Sequence, residues 1–143
     1  MIYFDTSYVV RMHSRDPGWE KVRQFATTDH IACCLHGHAE AIAAFHRKFR
    51  EGVITQREMA TVIAEFEKDS AANAFRWLPL SPAVISRTVS VYGSLPPNVY
   101  LRSSDAVHLA CAVENGFKEI YSNDRHLLAA ASYLGVKGTN IIS

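Results

Sequence analysis

The sequence has few of the features that mark secreted, membrane-spanning or strongly basic proteins. It contains only three cysteines, Cys33, Cys34 and Cys111, an odd number that does not fit a secreted disulfide framework. No basic leader precedes Asp5, and no apolar run approaches the roughly 18 residues of a membrane-spanning helix. The formal net charge is +1, so any contact with nucleic acid has to be local. These absences predict a soluble cytoplasmic protein with reduced, buried thiols.

The chain does contain enough apolar residues for one core. With 143 residues, of which 48% are hydrophobic, it is predicted to fold as a single domain over residues 1–143 without disulfides or a structural metal. Short apolar runs at 2–4, 30–35, 77–80 and 120–121 predict buried strands, and 140–142 is a candidate fifth strand. Helical patterns separate these runs. The alternation predicts an α/β fold, a central parallel sheet of four to five strands with helices on both faces.

Local signals set the expected helix boundaries. Thr55 and Glu58 have the spacing of a capping box, and Ser81-Pro82 is typical of an N-cap followed by the first helical residue. The helix that follows Thr55 and the one before it, which ends near Gly52, are expected to form a helical hairpin. Pro17 is assigned to the first turn of a helix that carries Trp19.

Four carboxylates stand where a site is expected. Asp5 and Asp124 are the first acidic residues after predicted strands, Asp105 begins the most apolar helix, and Glu40 lies in the first turns after the second strand. Ligands of open parallel sheets bind beyond the carboxyl ends of the strands. The four carboxylates are therefore expected to converge at one edge of the sheet.

Each acid also has a purely structural explanation. An aspartate at a helix start, such as Asp105 or Asp124, can simply cap the helix, and Glu40 can lie on a solvated helix face. Asp5 is harder to explain in this way, because an unpartnered carboxylate beside a buried strand is costly. The small residues Ala43 and Ala44 leave space for a ligand beside Glu40.

The chemistry expected of four converging carboxylates is cation binding. Their mutual repulsion raises some of the pKa values, so the cluster stays ionised by holding cations, and hard oxygen ligands suit Mg²⁺ or Mn²⁺. Zinc is not expected, because His36 and His38 near the cysteine pair fit no standard zinc-site spacing, although His38 could line the groove beside Glu40. His108 is interpreted as a hydrogen-bonded core histidine. Metal-assisted phosphodiester hydrolysis is the predicted reaction.

The sequence resembles the PIN-domain nucleases, and specifically the VapC-type toxins of toxin–antitoxin pairs. The resemblance spans nearly the whole chain and rests on FDTS (4–7), AE (39–40), LRSSDAVHLA (101–110), which is the most specific, and YSNDRHLL (121–128). It implies that the acidic ligands are Asp5, Glu40, Asp105 and Asp124. It also implies that Thr6, Ser7 and Ser122 are the hydroxyl partners of the acids, with Ser122 more often threonine in the family. RNA cleavage, a homodimer and an antitoxin whose tail occupies the active-site groove are further implications.

Basic residues near the expected site are candidate RNA contacts. These residues are Arg11, Arg47, Arg50, Arg102 and Arg125, with Arg15, Lys48 and Arg57 nearby. As phosphate contacts they would make binding sensitive to salt, but they also fit an ordinary solvated face or a balance to the acidic cluster. Two alternatives remain open at this point, a PIN nuclease of RNA processing or DNA cleavage, and a catalytically silent PIN module that binds RNA or a protein.

Overall fold

The chain forms five strands and seven α-helices in a computed structural model that describes residues 1–142. Ser143, the last residue of the predicted domain, lies outside the described residues. The strands are β1 (Ile2–Phe4), β2 (Ile31–Cys34), β3 (Phe75–Leu78), β4 (Glu119–Tyr121) and β5 (Lys137–Thr139). The helices are α1 (Thr6–Val10), α2 (Trp19–Ala26), α3 (His36–Arg50), α4 (Gln56–Ala71), α5 (Pro82–Val91), α6 (Ser103–Glu114) and α7 (Arg125–Ala130), and α7 continues into a short 3₁₀ helix (Ala131–Leu134).

The sheet has the strand order β3-β2-β1-β4-β5, and every neighbouring pair is parallel. β1 occupies the centre, where Tyr3 pairs with Ala32 of β2 on one side and with Ile120 of β4 on the other. Because the strands are parallel, the chain leaves β1, β2 and β4 at the same edge and enters α1, α3 and α7 there. This edge is the one at which the sequence predicts the site.

Helices cover both faces of the sheet, which confirms the predicted fold class. Side chains alternate along β1, so Tyr3 and Phe4, both fully buried, point to opposite faces. Tyr3 belongs to a core formed with α5, α6 and α7, whereas Phe4 belongs to one formed with α1 to α4. The first core includes Val84, Leu109, Ile120 and Leu127, and the second includes Tyr8, Val22, Phe45 and Phe66.

Most of the predicted helix boundaries are confirmed. Thr55 and Glu58 form the capping box at the start of α4, and the Ser81 hydroxyl accepts the Val84 N–H at the start of α5. α3 and α4 pack against each other as the expected hairpin. Gly52 follows α3 with a φ of 75°, a left-handed conformation that glycine adopts without steric cost.

Three boundary predictions are wrong. The third strand is Phe75–Leu78 and not 77–80, and Leu80 lies beyond its end, exposed to solvent. The last strand is Lys137–Thr139 and not 140–142, because Asn140 and Ile141 hydrogen-bond to the Tyr8 hydroxyl, and Ile141 and Ile142 pack on the core around Phe4. Pro17 lies before α2 and not in its first turn, since Gly18 is the N-cap and adopts a φ of 86°. Within residues 1–142, none of the helices combines the length and apolar character needed to cross a membrane.

Candidate active site

The carboxyl edge of the sheet carries a cleft of about 470 Å³ that contains all four predicted carboxylates. Asp5 and Asp124 lie in the turns that follow β1 and β4, whereas Glu40 lies in α3 and Asp105 in α6. The other lining residues are Thr6, Ser7, Val10, Arg11, Asp16, Ala44, Arg47, Lys48, Arg102, His108 and Asn123. Asp5, Glu40, Asp105 and Asp124, which are far apart in the sequence, therefore share one solvent-open space.

Asp5 is the most deeply buried of the four acids, with only 3% of its surface exposed. It caps α1, and its Oδ1 accepts a hydrogen bond from the Ser7 hydroxyl at 2.6 Å. Its Oδ2 accepts one from the hydroxyl of Ser122, which is itself fully buried. Burial raises the pKa of Asp5, although the charge of His108 and these two hydroxyls oppose the increase. Ionised Asp5 would therefore be stabilised by a cation.

Asp105 and Asp124 are bridged by Arg102. The guanidinium Nε donates to Asp105 Oδ2 at 2.9 Å, and Nη2 donates to Asp124 Oδ2 at 2.7 Å. Burial raises the pKa of Asp105, with a further increase from Asp124, while Arg102 lowers it. Asp124 also caps α7, because its Oδ1 accepts the N–H groups of His126 and Leu127. Capping therefore occupies Oδ1, while Oδ2 pairs with Arg102 in the cleft.

The three predicted hydroxyl residues all contact the acids. The Ser122 hydroxyl also accepts the Asp124 N–H at 2.9 Å, and the Ser7 hydroxyl accepts the Asn123 N–H at 3.0 Å. Both serines therefore tie the loop after β4 to Asp5. The Thr6 hydroxyl donates to Glu40 Oε1 at 2.7 Å.

Glu40 is held by more hydrogen bonds than the sequence suggests. In addition to Thr6, His108 Nε2 lies 2.8 Å from Oε1, and the Ser104 hydroxyl donates to Oε2. Burial alone would raise the pKa of Glu40, but the hydrogen bond and charge of His108 and the two hydroxyls lower it to about 2. Glu40 is therefore an ionised, fixed carboxylate rather than one on a solvated helix face.

Two histidines complete the surroundings of Glu40, and sequence reasoning gave neither a place in the site. His108 is buried and hydrogen-bonded, as expected, but it also reaches Glu40. His36 Nε2 lies 3.3 Å from Glu40 Oε1, and the two imidazole centroids are 4.2 Å apart. The sequence does contain one signal for His36: it precedes Glu40 by four residues, a spacing that puts the two side chains on the same face of a helix. His38, in contrast, stacks on Trp77 and pairs with Glu67.

The candidate RNA contacts differ in their positions. Arg47 and Arg102 line the cleft, and Arg50 borders an adjoining groove beside Arg47. Arg11 also lines the cleft, but it is buried and its guanidinium donates to the Ser7 and Pro17 carbonyls. Arg125 is exposed and is not among the residues that line the cleft.

The donor set of the cleft fits a divalent cation. Asp5, Asp105 and Asp124 offer only oxygen atoms, the donors that Mg²⁺ and Mn²⁺ prefer, and burial raises the pKa of two of these three carboxyls. Within residues 1–142, however, the one group of three whose ligand atoms all lie within 4.8 Å of each other is His36, Glu40 and His108. The aspartates are more widely spaced, and Arg102 already provides a positive charge between two of them.

Comparisons with known proteins agree with this architecture. The model of the PIN domain family matches residues 2–132. VapC20 of Mycobacterium tuberculosis, described as a sarcin-ricin loop cleaving toxin, superposes with a TM-score of 0.70 at 14% identity, over 96% of this chain and 99% of that chain. FitAcB from Neisseria gonorrhoeae superposes with a TM-score of 0.74 at 16% identity, over 98% of this chain and 97% of that chain. FitAB bound to an IR36 DNA fragment superposes with a TM-score of 0.72 at 13% identity, over 98% of this chain and 94% of that chain. At these identities the structural likeness concerns the fold. A comparison with curated protein sequences found no match.

Proposed function

Because this chain belongs to the PIN domain family, we propose that it is an endoribonuclease that hydrolyses phosphodiester bonds with Mg²⁺ or Mn²⁺. The observation that carries the proposal is the presence of Asp5, Glu40, Asp105 and Asp124 in one open cleft. The cation would be held by the three aspartates and by Glu40, with Thr6, Ser7 and Ser122 fixing the carboxylates. When bound, it would supply Lewis acidity and a water molecule of lowered pKa.

The side chains of the cleft have separate roles in the proposed reaction. Asp5 and Glu40 are held by hydroxyl and imidazole donors, so their oxygens keep a fixed geometry while a substrate enters. Arg47 would bind the RNA backbone on the α3 side of the cleft, whereas Lys48 beside it is paired with Asp16. Arg50 extends this basic surface along the adjoining groove. These contacts would orient the phosphodiester.

We expect Arg102 to compete with the divalent cation. Its guanidinium pairs with both Asp105 and Asp124, and two such half-exposed ion pairs together stabilise the metal-free state by about 1 kcal/mol. Arg102→Gln should therefore tighten Mn²⁺ binding about five-fold in a calorimetric titration. Arg125→Gln, on an exposed side chain that does not line the cleft, is the matched control and should leave the affinity unchanged. Weaker binding by Arg102→Gln would contradict the competition.

We also propose that the protein acts as the toxin of a toxin–antitoxin pair, as a cytoplasmic homodimer of one domain per chain. The fold shared with VapC20 and the FitAB proteins supports this biological role. The cognate antitoxin is expected to insert its tail into the cleft, which is lined by both acidic and basic side chains.

Growth measurements test the toxin proposal separately from the chemistry. Induced expression of the wild-type chain in bacteria is expected to arrest growth, whereas equal amounts of Asp5→Asn should not. Co-expression of a small DNA-binding protein encoded immediately upstream should restore growth. Equal growth of the two strains at equal protein levels would refute the toxin role, and persistent RNA cleavage in vitro would then indicate a nuclease of RNA processing.

A further inference from the structure

We propose that His36, Glu40 and His108 form a second cation site, which binds a divalent transition-metal ion of the Zn²⁺ or Co²⁺ type through two imidazoles and one carboxylate. The proposal goes beyond the hydrolysis of RNA and shares with it Glu40 as a ligand and His108 as the residue that positions Glu40. The site lies between the first turns of α3 and the buried face of α6.

Two of the three donor separations are close to those that a metal ion requires. Glu40 Oε1 lies 2.8 Å from His108 Nε2 and 3.3 Å from His36 Nε2, and no two donors are more than 4.8 Å apart. Ligands about 2.1 Å from a metal are about 3.0 Å apart at a right angle and about 3.4 Å apart at the tetrahedral angle. Only a small rotation of His36 is therefore needed to complete three-point coordination.

His108 is oriented for coordination by an interaction on its far side. Its Nδ1 lies 2.9 Å from the Tyr3 hydroxyl, which also accepts the Cys34 N–H at 3.0 Å. Histidines that bind metals commonly donate their second ring N–H to an oxygen, which fixes the tautomer and the ring. Nε2 is hydrogen-bonded to Glu40, and with Nδ1–H donated to Tyr3 its lone pair would be free to bind an ion in place of that hydrogen bond. Both Tyr3 and His108 are almost fully buried, so this orientation is maintained by packing.

His36 supplies the movable third donor. It begins α3 one turn before Glu40, so the two side chains share a helix face. Its Nε2 contacts the Ser104 carbonyl at 3.1 Å, and its buried Nδ1 has no hydrogen-bond partner within residues 1–142. Binding a metal ion through Nε2 would replace the hydrogen bond to the Ser104 carbonyl and would leave the ring proton on Nδ1, on the side of Cys34.

Imidazole donors distinguish this site from the aspartates. Two nitrogens and one carboxylate favour Zn²⁺, Co²⁺ and similar ions over Mg²⁺, which prefers oxygen donors and retains its waters. The side chains of His36 and Glu40 are 17% and 31% exposed, which leaves an open coordination side toward the cleft. An ion here would engage Oε1 of Glu40, while Oε2 stays hydrogen-bonded to Ser104.

Cobalt titration of the full chain tests the proposal without measuring activity. Wild-type protein is expected to bind Co²⁺ with visible ligand-field absorption bands, which Zn²⁺ should displace. His36→Asn, at a partly exposed position where the fold should tolerate it, is expected to weaken Co²⁺ binding at least about ten-fold, and Tyr3→Phe to weaken it by about ten-fold through loss of orientation. His46→Asn, on an exposed face of the same helix, is the control and should bind Co²⁺ as the wild type does.

The outcomes separate this proposal from the nuclease proposal. Asp105→Asn should lose Mg²⁺-dependent cleavage but keep the Co²⁺ bands, because Asp105 is not one of the three ligands. Wild-type protein without bands, or His36→Asn with unchanged Co²⁺ affinity and spectrum, would overturn the second site. A wild-type protein that cleaves no RNA would refute the nuclease and leave the cobalt result standing.

Discussion

Asp5→Asn is expected to lower metal-dependent RNA cleavage more than about 100-fold while the protein stays folded. Asparagine has the shape of aspartate but lacks its charge, so the hydrogen bonds from Ser7 and Ser122 can rearrange around it. The loss exceeds the 10- to 100-fold that removal of an outer contact of a metal site typically produces, because a candidate metal ligand is itself replaced. Cleavage of a labelled RNA with and without Mn²⁺ measures the effect.

The same variant is expected to unfold at a higher temperature than the wild type when no divalent cation is present. Since burial raises the pKa of Asp5 above that of an unfolded aspartate, its contribution to stability is full only below about pH 3.9 and is lost as the pH rises through the raised pKa. Asparagine avoids this cost, so the midpoint of thermal unfolding at neutral pH is expected to rise. Adding Mn²⁺ should then stabilise the wild type but not the variant.

Asp29→Asn is the matched control for both measurements. Asp29 lies just before β2, at the opposite edge of the sheet, where its carboxylate pairs with the amino group of Met1. It should retain full cleavage and the stabilisation by Mn²⁺. Undiminished cleavage by Asp5→Asn would mean that the proposed ligand set is wrong, whereas loss of cleavage in both variants would indicate a nonspecific effect.

The parts of the fold that depend on local patterns could be predicted from the sequence. Short apolar runs and the residues that follow them give the parallel sheet, and an acid directly after β1 or β4 must lie at its carboxyl edge. The positions of Asp5 and Asp124 follow from this rule alone. The sequence pattern misplaces the last strand, because Ile141 and Ile142 are apolar but belong to no strand. They pack instead against the core around Phe4.

The contacts across the cleft could not be predicted in this way. The apolar pattern of α6 indicates that His108 is buried, but its contact with Glu40 depends on how α6 and α3 pack on the sheet. The bridge that Arg102 forms depends likewise on the distance between two loops that are 22 residues apart. Hydrophobic periodicity determines which face of a helix is buried, and the partners of a polar side chain on that face follow only from tertiary packing.

Gly37→Ala is expected to destabilise the protein by about 2 kcal/mol, although alanine normally favours a helix over glycine by about 1 kcal/mol. A Cβ atom at Gly37 would lie 2.5 Å from Cys33 Sγ and 3.3 Å from Thr6 Oγ1. Cys33 is fully buried in β2, so the first turn of α3 has to move away from the sheet. Thermal unfolding should show a midpoint lowered by about 4–8 °C.

The matched control for this substitution is Gly93→Ala, at an exposed position where a Cβ would only make an ordinary contact with the Ser90 carbonyl. It should leave the midpoint nearly unchanged. Because Cys33 Sγ is the closest obstacle to Gly37→Ala, adding Cys33→Ala should make the combined loss smaller than the sum of the two single losses. An increase in stability for Gly37→Ala alone would show that the close approach of α3 to β2 is not what requires glycine. The displaced turn carries Glu40 away from Thr6 and His108, so cleavage should fall together with stability.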